Sequence, residues 1–252
     1  MFPNSASFVV RAWNWIAEPL AVMAFVFAST TALAQPFYVP SGSMEPTLQI
    51  GDAFLGDKFA YGYSRYSPPF PIGPHARQRL LGRLPNRGDV VVFRHPVNTK
   101  ETLVKRVIGL PGDTVQMIHG HLVINGRILP LVAAGTGQVE DGTGNTVAVP
   151  RYIETLPDGV KHPIFKWQWD GWLDNTAPVK VAPGHLFVMG DNRDNSLDSR
   201  VPQDQGGVGL VPTENLVARA DLLVGSYDFL NARAVWTWLG QIRLSRFFRG
   251  IG

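Results

Sequence analysis

The chain of 252 residues contains no cysteine, which removes a disulfide framework, a thiolate nucleophile and a cysteine-based zinc site. The absence suits an exported domain without requiring one. Charge is sparse too. Only 17% of residues are Asp, Glu, Lys or Arg, and the formal charge is +3, modest for a nucleic-acid binder whose basic residues are scattered until the final segment. We expect no nucleic-acid partner and read the balance as a mild bias toward an anionic membrane surface. Other signatures are missing. Ser43 is followed by Met44 and Glu45 rather than completing a Gly-x-Ser-x-Gly elbow. From Asp194 the chain starts like a calcium loop, but Ser199 and Gln205 stand where glycine and glutamate are needed. His119 and His121 alternate onto one strand face, yet spacing places no third ligand, so they are expected at the surface. We expect no metal and no cofactor.

What is present begins with Pro40-Ser41-Gly42-Ser43-Met44-Glu45-Pro46-Thr47-Leu48, directly after an apolar run. A nucleophilic serine needs a rigid, sharply turned backbone and a base to take its proton. Gly42 and Pro46 suit the first need. For the second, Leu103-Val104-Lys105-Arg106-Val107-Ile108 reads as a strand ended by Leu110-Pro111-Gly112-Asp113. Alternation puts Leu103, Lys105 and Val107 on one face and Val104, Arg106 and Ile108 on the other. A lysine buried between apolar neighbours loses solvation, its pKa falls, and the neutral amine becomes available as a general base. The alternative is a lysine at a strand edge with its ammonium in water.

A third stretch, Gly190-Asp191-Asn192-Arg193-Asp194-Asn195-Ser196-Leu197-Asp198-Ser199-Arg200, shifts the balance. Alone it reads as a hydrogen-bonded turn, or as paired carboxylates with no companion signal for sugar chemistry. The three stretches together, in this order, resemble the bacterial type I signal peptidases, membrane-bound serine proteases that use a Ser/Lys dyad. The resemblance covers most of residues 36–120 and 181–220, with an echo at 242–246. It implies Ser43 as nucleophile, Lys105 as general base, and an oxyanion hole from the Ser43 N–H and the Ser41 hydroxyl. It further implies that Ser196 orients Lys105, that Asp191 pairs with Arg106, and that Asp198 and Arg200 hold the third stretch in shape. The implied fold is mainly β: an N-terminal transmembrane helix, then a signal-peptidase-like catalytic β-domain with a smaller inserted β-rich region.

The expected domain plan follows. Residues 1–35 form a cytoplasmic N-terminus and single membrane anchor. Residues 19–35 carry no charge, and extension back to Ala12 crosses only Glu18, giving about the 20 residues that a membrane helix needs. Arg11 puts residue 1 inside, and Trp13, Trp15, Phe37 and Tyr38 suit the interfaces. A cleavable secretory signal ending at Ala32-Leu33-Ala34 fits the pattern equally well; the resemblance favours an uncleaved anchor. Glu18 and Pro19 mark either a helix start or a kink. Residues 36–130 and 181–230 form the discontinuous catalytic domain. Within it, strands are expected from Gly51-Asp52 through Leu55, over 90–93, over 114–118 and over 121–124, with an Asn125-Gly126 hairpin turn. Proline-rich residues 64–88 read as loop. Residues 131–180 form the insert, where Trp167 and Trp169 fall on one strand face as core packing or an exposed patch. Residues 231–252 mix Trp236, Trp238, Phe247 and Phe248 with arginines. They suit a membrane interface, RNA, or a packed terminal strand with solvated arginines.

The resemblance also implies the substrate: signal-peptide-bearing preproteins, cut after Ala-x-Ala through an acyl-enzyme. An extended peptide would add as a strand between Tyr38-Val39 and Leu103-Val104. Phe37, Val39, Met44, Leu48, Phe54, Leu103 and Val104 would shape shallow pockets for small side chains. Membrane phospholipid and the neighbourhood of the export translocon are the expected surroundings. They place the enzyme in the bacterial cytoplasmic membrane with its catalytic domain on the outer face. Two other classes stay open: a self-cleaving Ser/Lys repressor, which would carry a helix-turn-helix before the serine, and a silent, membrane-tethered binding protein.

Overall fold

The computed structural model describes residues 15, 17–26, 33–68, 79–140, 146–227 and 240–251. Much of the expected anchor, including Arg11, Trp13 and Ala32, lies outside them, as do Pro69, Pro71, Pro74, Trp236 and Trp238. Residues 17–26 are helical, with Glu18 and Pro19 inside the run. No helix among the described residues is long and apolar enough to cross a membrane. One boundary moves. Ala34 and Gln35, expected at the end of the anchor, instead open strand β1 (Ala34–Tyr38), where they pair with Asp57 and Gly56.

The main sheet has seven antiparallel strands: β1, β2 (Asp52–Asp57), β3 (Val90–Arg94), β4 (Thr102–Gly109), β12 (His185–Met189), β13 (Val211–Pro212) and β14 (Leu216–Ser226). Their order is β1-β2-β14-β3-β4-β12-β13. The apolar run expected over 90–93 is the reason β3 sits in the middle: it is buried on both faces, as its lack of alternation requires. Val90 and Val92 pack with Phe54, Met44 and Leu48 on one side, and Val91 and Phe93 with Val107 and Val188 on the other. Strand β14 bridges β2 and β3 and carries three register shifts, which bend the sheet.

A second sheet, β11-β5-β6-β7, comprises β5 (Thr114–Ile118), β6 (His121–Ile124), β7 (Arg127–Ile128) and β11 (Val179–Lys180). Asn125 and Gly126 turn from β6 into β7 with φ of 52° and 76°, the left-handed pair that a two-residue hairpin needs. A third sheet, β10-β9-β8, comprises β8 (Leu131–Glu140), β9 (Thr146–Thr155) and β10 (Lys161–Phe165). Trp167 and Trp169 lie beyond the end of β10, not on a strand. Both pack, as the plainer expectation had it. Trp167 covers Val139, Val149 and Phe165, while Trp169 meets Tyr152 edge-on at 5.6 Å and His121 at 5.4 Å. Nor are all the terminal arginines solvated: Arg243 and Arg246 turn inward, while Arg249 is exposed. Arg246 donates to the buried Asp52 carboxylate at 3.0 and 2.5 Å, and Arg243 to Ser226 Oγ at 2.8 Å, because Asp52 inside the fold needs a cation.

Candidate active site

Ser43 lies in a 3-10 turn, Gly42–Met44, closed by the Glu45 N–H on the Gly42 carbonyl at 3.1 Å. Two apolar side chains of the same loop anchor it from beneath. Met44 and Leu48, 1% and 0% exposed, enter the cluster formed with Phe54 and Val90. From above, Asn192 clamps it: its N–H donates to the Ser43 carbonyl at 3.1 Å and its Nδ2 to the Gly42 carbonyl at 3.0 Å. The loop backbone is thereby fixed while the serine hydroxyl stays free to meet Lys105.

Lys105 Nζ donates to Ser43 Oγ at 2.5 Å. Strand β4 delivers it as alternation predicts, with Leu103 and Val107 facing the cluster around Val91 and with Val104 facing the cluster around Val90 and Val92. Lys105 is only 4% exposed, so the alternative of a solvated ammonium is excluded. Burial lowers its pKa from 10.5 to about 8; Asp198 opposes that shift and Arg200 adds to it. An amine with that pKa is neutral in a useful fraction of molecules near neutral pH. Ser41 Oγ lies 3.5 Å from Ser43 Oγ.

Arg106 emerges on the other face of β4 and holds Asp191 in a two-point contact, Nε to Oδ1 at 2.8 Å and Nη2 to Oδ2 at 2.7 Å. Burial opposes ionisation of Asp191, but the Arg106 guanidinium and the Thr47 hydroxyl, at 2.5 Å, hold its carboxyl below the usual range. Asp198 is likewise pushed up by burial, but Arg200, which donates to it at 2.8 and 2.9 Å, together with the Gly190 N–H and Lys105, holds its carboxyl below the usual range. The Gly190 N–H also donates to Asp198 at 3.0 Å.

The expected contact from Ser196 to Lys105 is not formed. Ser196 Oγ is buried without a hydrogen-bond partner and packs against the Gly190 backbone. Gly190 admits it only by lacking a side chain: a Cβ there would lie 2.4 Å from both Ser196 Oγ and the Ser43 carbonyl oxygen. Of the expected pocket residues, Phe37, Val39, Met44, Leu48, Phe54 and Val104 share one apolar cluster, and Leu103 packs into the cluster on the other face. Met44, Leu48 and Phe54 are sealed from solvent, whereas Phe37, Leu103 and Val104 keep partly open surface.

Several supporting residues escape the sequence. Asp52 ties the base of the loop by accepting from the Gln49 N–H at 2.8 Å and from Arg246, whose Nη2 also donates to the Thr47 carbonyl at 3.1 Å. Nothing local signals a pair 194 positions apart. The insert also contributes. Phe165 at the end of β10 exchanges backbone hydrogen bonds with Asp191 and Arg193, and Glu154 on β9 holds the buried Arg193 at 2.7 Å. His162, between Glu154 and Asp191, has its pKa lowered to about 4 by burial and so stays neutral. His121 packs on Trp169, and among the described residues no cluster of three His, Asp or Glu could hold a metal ion.

The model of the family described as signal peptidase, peptidase S26, matches residues 12–224. Signal peptidase I of Rickettsia akari is 34% identical over 241 residues, covering 87% of this chain and 85% of the relative. That of Rickettsia massiliae is 34% identical over 255 residues, covering 90% and 91%. A crystal structure of a signal peptidase I from Enterococcus faecalis, 27% identical, covers 54% of this chain and 97% of its own, with a TM-score of 0.32. The chain belongs to the signal peptidase family, peptidase S26, a family of serine endopeptidases.

Proposed function

We propose that this signal peptidase works through a Ser43/Lys105 dyad and cuts preproteins after small-x-small sites such as Ala-x-Ala. The observation that carries the proposal is the 2.5 Å contact between Lys105 Nζ and Ser43 Oγ at a lysine cut off from water. Neutral Lys105 takes the proton as Ser43 Oγ attacks the scissile carbonyl. The Ser43 N–H and the Ser41 hydroxyl receive the charge that develops on the carbonyl oxygen. Lys105 then returns the proton to the leaving amine, and water repeats the sequence on the acyl-enzyme. Once Ser43 is acylated, Lys105 no longer holds the serine hydroxyl and is free to activate the water.

Substrate docking by strand addition has support in the pairing pattern. Strand β12 covers β4 only from Arg106 to Gly109, so residues 103–105 have no partner strand on that side among the described residues. β1 is an edge strand. A peptide strand between them would place small side chains against the open surfaces of Phe37, Leu103 and Val104. The apolar run ahead of β1 serves as a single anchor in the cytoplasmic membrane, with the catalytic sheet on the outer face, among phospholipids and near the translocon. The experiment is cleavage of a preprotein with an Ala-x-Ala site, the product mapped by mass spectrometry. Cutting after the second alanine that vanishes in Ser43→Ala supports the reading. Cutting elsewhere, or undiminished cutting by Ser43→Ala, removes it.

A further inference from the structure

Behind the catalytic loop, away from Lys105, lies a cleft of about 560 Å³ between Pro46-Thr47, the third sheet and the C-terminal segment. Four arginines line it: Arg106, Arg151, Arg246 and Arg249. Two are balanced, Arg106 by Asp191 and Arg246 by Asp52. The other two come from distant parts of the chain, β9 and the C-terminal segment. Among the described residues their side chains make no ion pair and no hydrogen bond. Arg151 Nε is shut off from solvent with no acceptor.

A guanidinium N–H hidden from water without an acceptor is unfavourable and calls for an explanation. Arg249, exposed on the same cleft, adds a second guanidinium charge that no carboxylate among the described residues balances. A ligand oxygen of opposite charge resolves both. The guanidinium fork matches a phosphate group in two-point contacts. The volume exceeds what a lone phosphate ion fills, and Gln138 and Phe165 add a polar and an apolar wall suited to an organic body.

We propose that this cleft is a binding site for a phosphate-bearing anion, held by Arg151 and Arg249. The site is separate from the dyad and does not depend on the peptidase reading. Two sources share the chemistry: free phosphate esters in solution and the headgroup of an anionic phospholipid.

The test uses the full chain in a neutral detergent, titrated at constant ionic strength with inorganic phosphate and, separately, with acetate. Binding is read by calorimetry and by the shift in melting temperature. Phosphate is expected to bind saturably and acetate not. Arg249→Gln and Arg151→Gln should each weaken binding by about tenfold, and Arg151→Lys by less, since it keeps the charge but loses the fork. Arg151→Gln should melt no lower than the parent when no anion is present, because it removes an unpaired buried donor. Arg249 is exposed, so its variant reports on binding even if Arg151→Gln fails to fold. Titration with dihexanoylphosphatidylglycerol separates the sources: tighter Arg151-dependent binding than inorganic phosphate indicates the lipid headgroup, and equal or weaker binding indicates a soluble ester. Non-saturable phosphate binding, or binding unchanged in both glutamine variants, overturns the proposal.

Discussion

Replacing Lys105 by methionine should abolish cleavage yet leave the protein more stable at neutral pH. Burial takes the Lys105 pKa from 10.5 to about 8. At 1.36 kcal/mol per unit, that difference amounts to about 3 kcal/mol of destabilisation wherever the amine is protonated in both states. The lysine's hydrogen bond to Ser43 offsets about 1 kcal/mol of it. Methionine, of similar length and uncharged, should therefore gain about 2 kcal/mol at pH 7. Between pH 8 and 10.5 the unfolded chain binds the proton that folded Lys105 has released, so parent stability rises through this window and the advantage of the variant shrinks. Lys58, whose pKa burial also lowers to about 8, has the same sign but is common to both proteins, so their difference isolates Lys105. Urea unfolding in detergent at a series of pH values measures it. A difference between parent and variant that stays constant across the window would refute the reasoning.

Gly190→Ala places a Cβ 2.4 Å from the Ser43 carbonyl and Ser196 Oγ; it should cost about 1–3 kcal/mol and most of the activity, read by urea unfolding and preprotein cleavage. Asn192→Ala removes the Nδ2 clamp on the Gly42 carbonyl and leaves the backbone N–H on the Ser43 carbonyl in place. We expect kcat to fall by about 10–100-fold, the equivalent of 1–3 kcal/mol, with KM little changed in steady-state assays. Asp191→Asn leaves Arg106 buried opposite a neutral amide, a loss of about 3–5 kcal/mol visible as a lowered urea midpoint. The parent should lose the same contribution in acid. The depressed Asp191 and Asp198 groups stabilise above their ordinary pKa of 3.8 and cease to do so as pH falls through their folded values. An acid transition that coincides in parent and Asp191→Asn would contradict this.

Local pattern carried the sequence a long way where strands are short and the chemistry lies within one segment. The unbroken apolar run over 90–93 located the central strand, and period-two alternation placed Lys105 and Arg106 on opposite faces. Asn125-Gly126 marked its hairpin because only left-handed residues make that turn. Failures share a different cause. Asp52 with Arg246, Glu154 with Arg193, and Thr47 with Asp191 are buried polar pairs far apart in sequence, and no local periodicity encodes a partner that arrives by tertiary folding. One reading of the terminal segment leaves its arginines solvated, which holds for the exposed Arg249, yet a single buried carboxylate draws Arg246 inward. Trp167 and Trp169 alternate like strand residues but follow the end of β10. There, packing over Phe165 and Tyr152 sets their positions. The anchor boundary slipped because Ala34 and Gln35 are apolar or neutral enough for either environment, and β2 satisfies their backbone.

The most direct measurement of the dyad is the single-turnover cleavage rate of an Ala-x-Ala preprotein from about pH 6 to 10, for the parent and Lys105→Ala. If Lys105 is the base, the parent rate climbs about tenfold per pH unit below the lysine pKa and levels off above about 8, while Lys105→Ala is inactive throughout. A Lys105→Ala protein that still cleaves with a comparable rate and profile would show that another group takes the Ser43 proton.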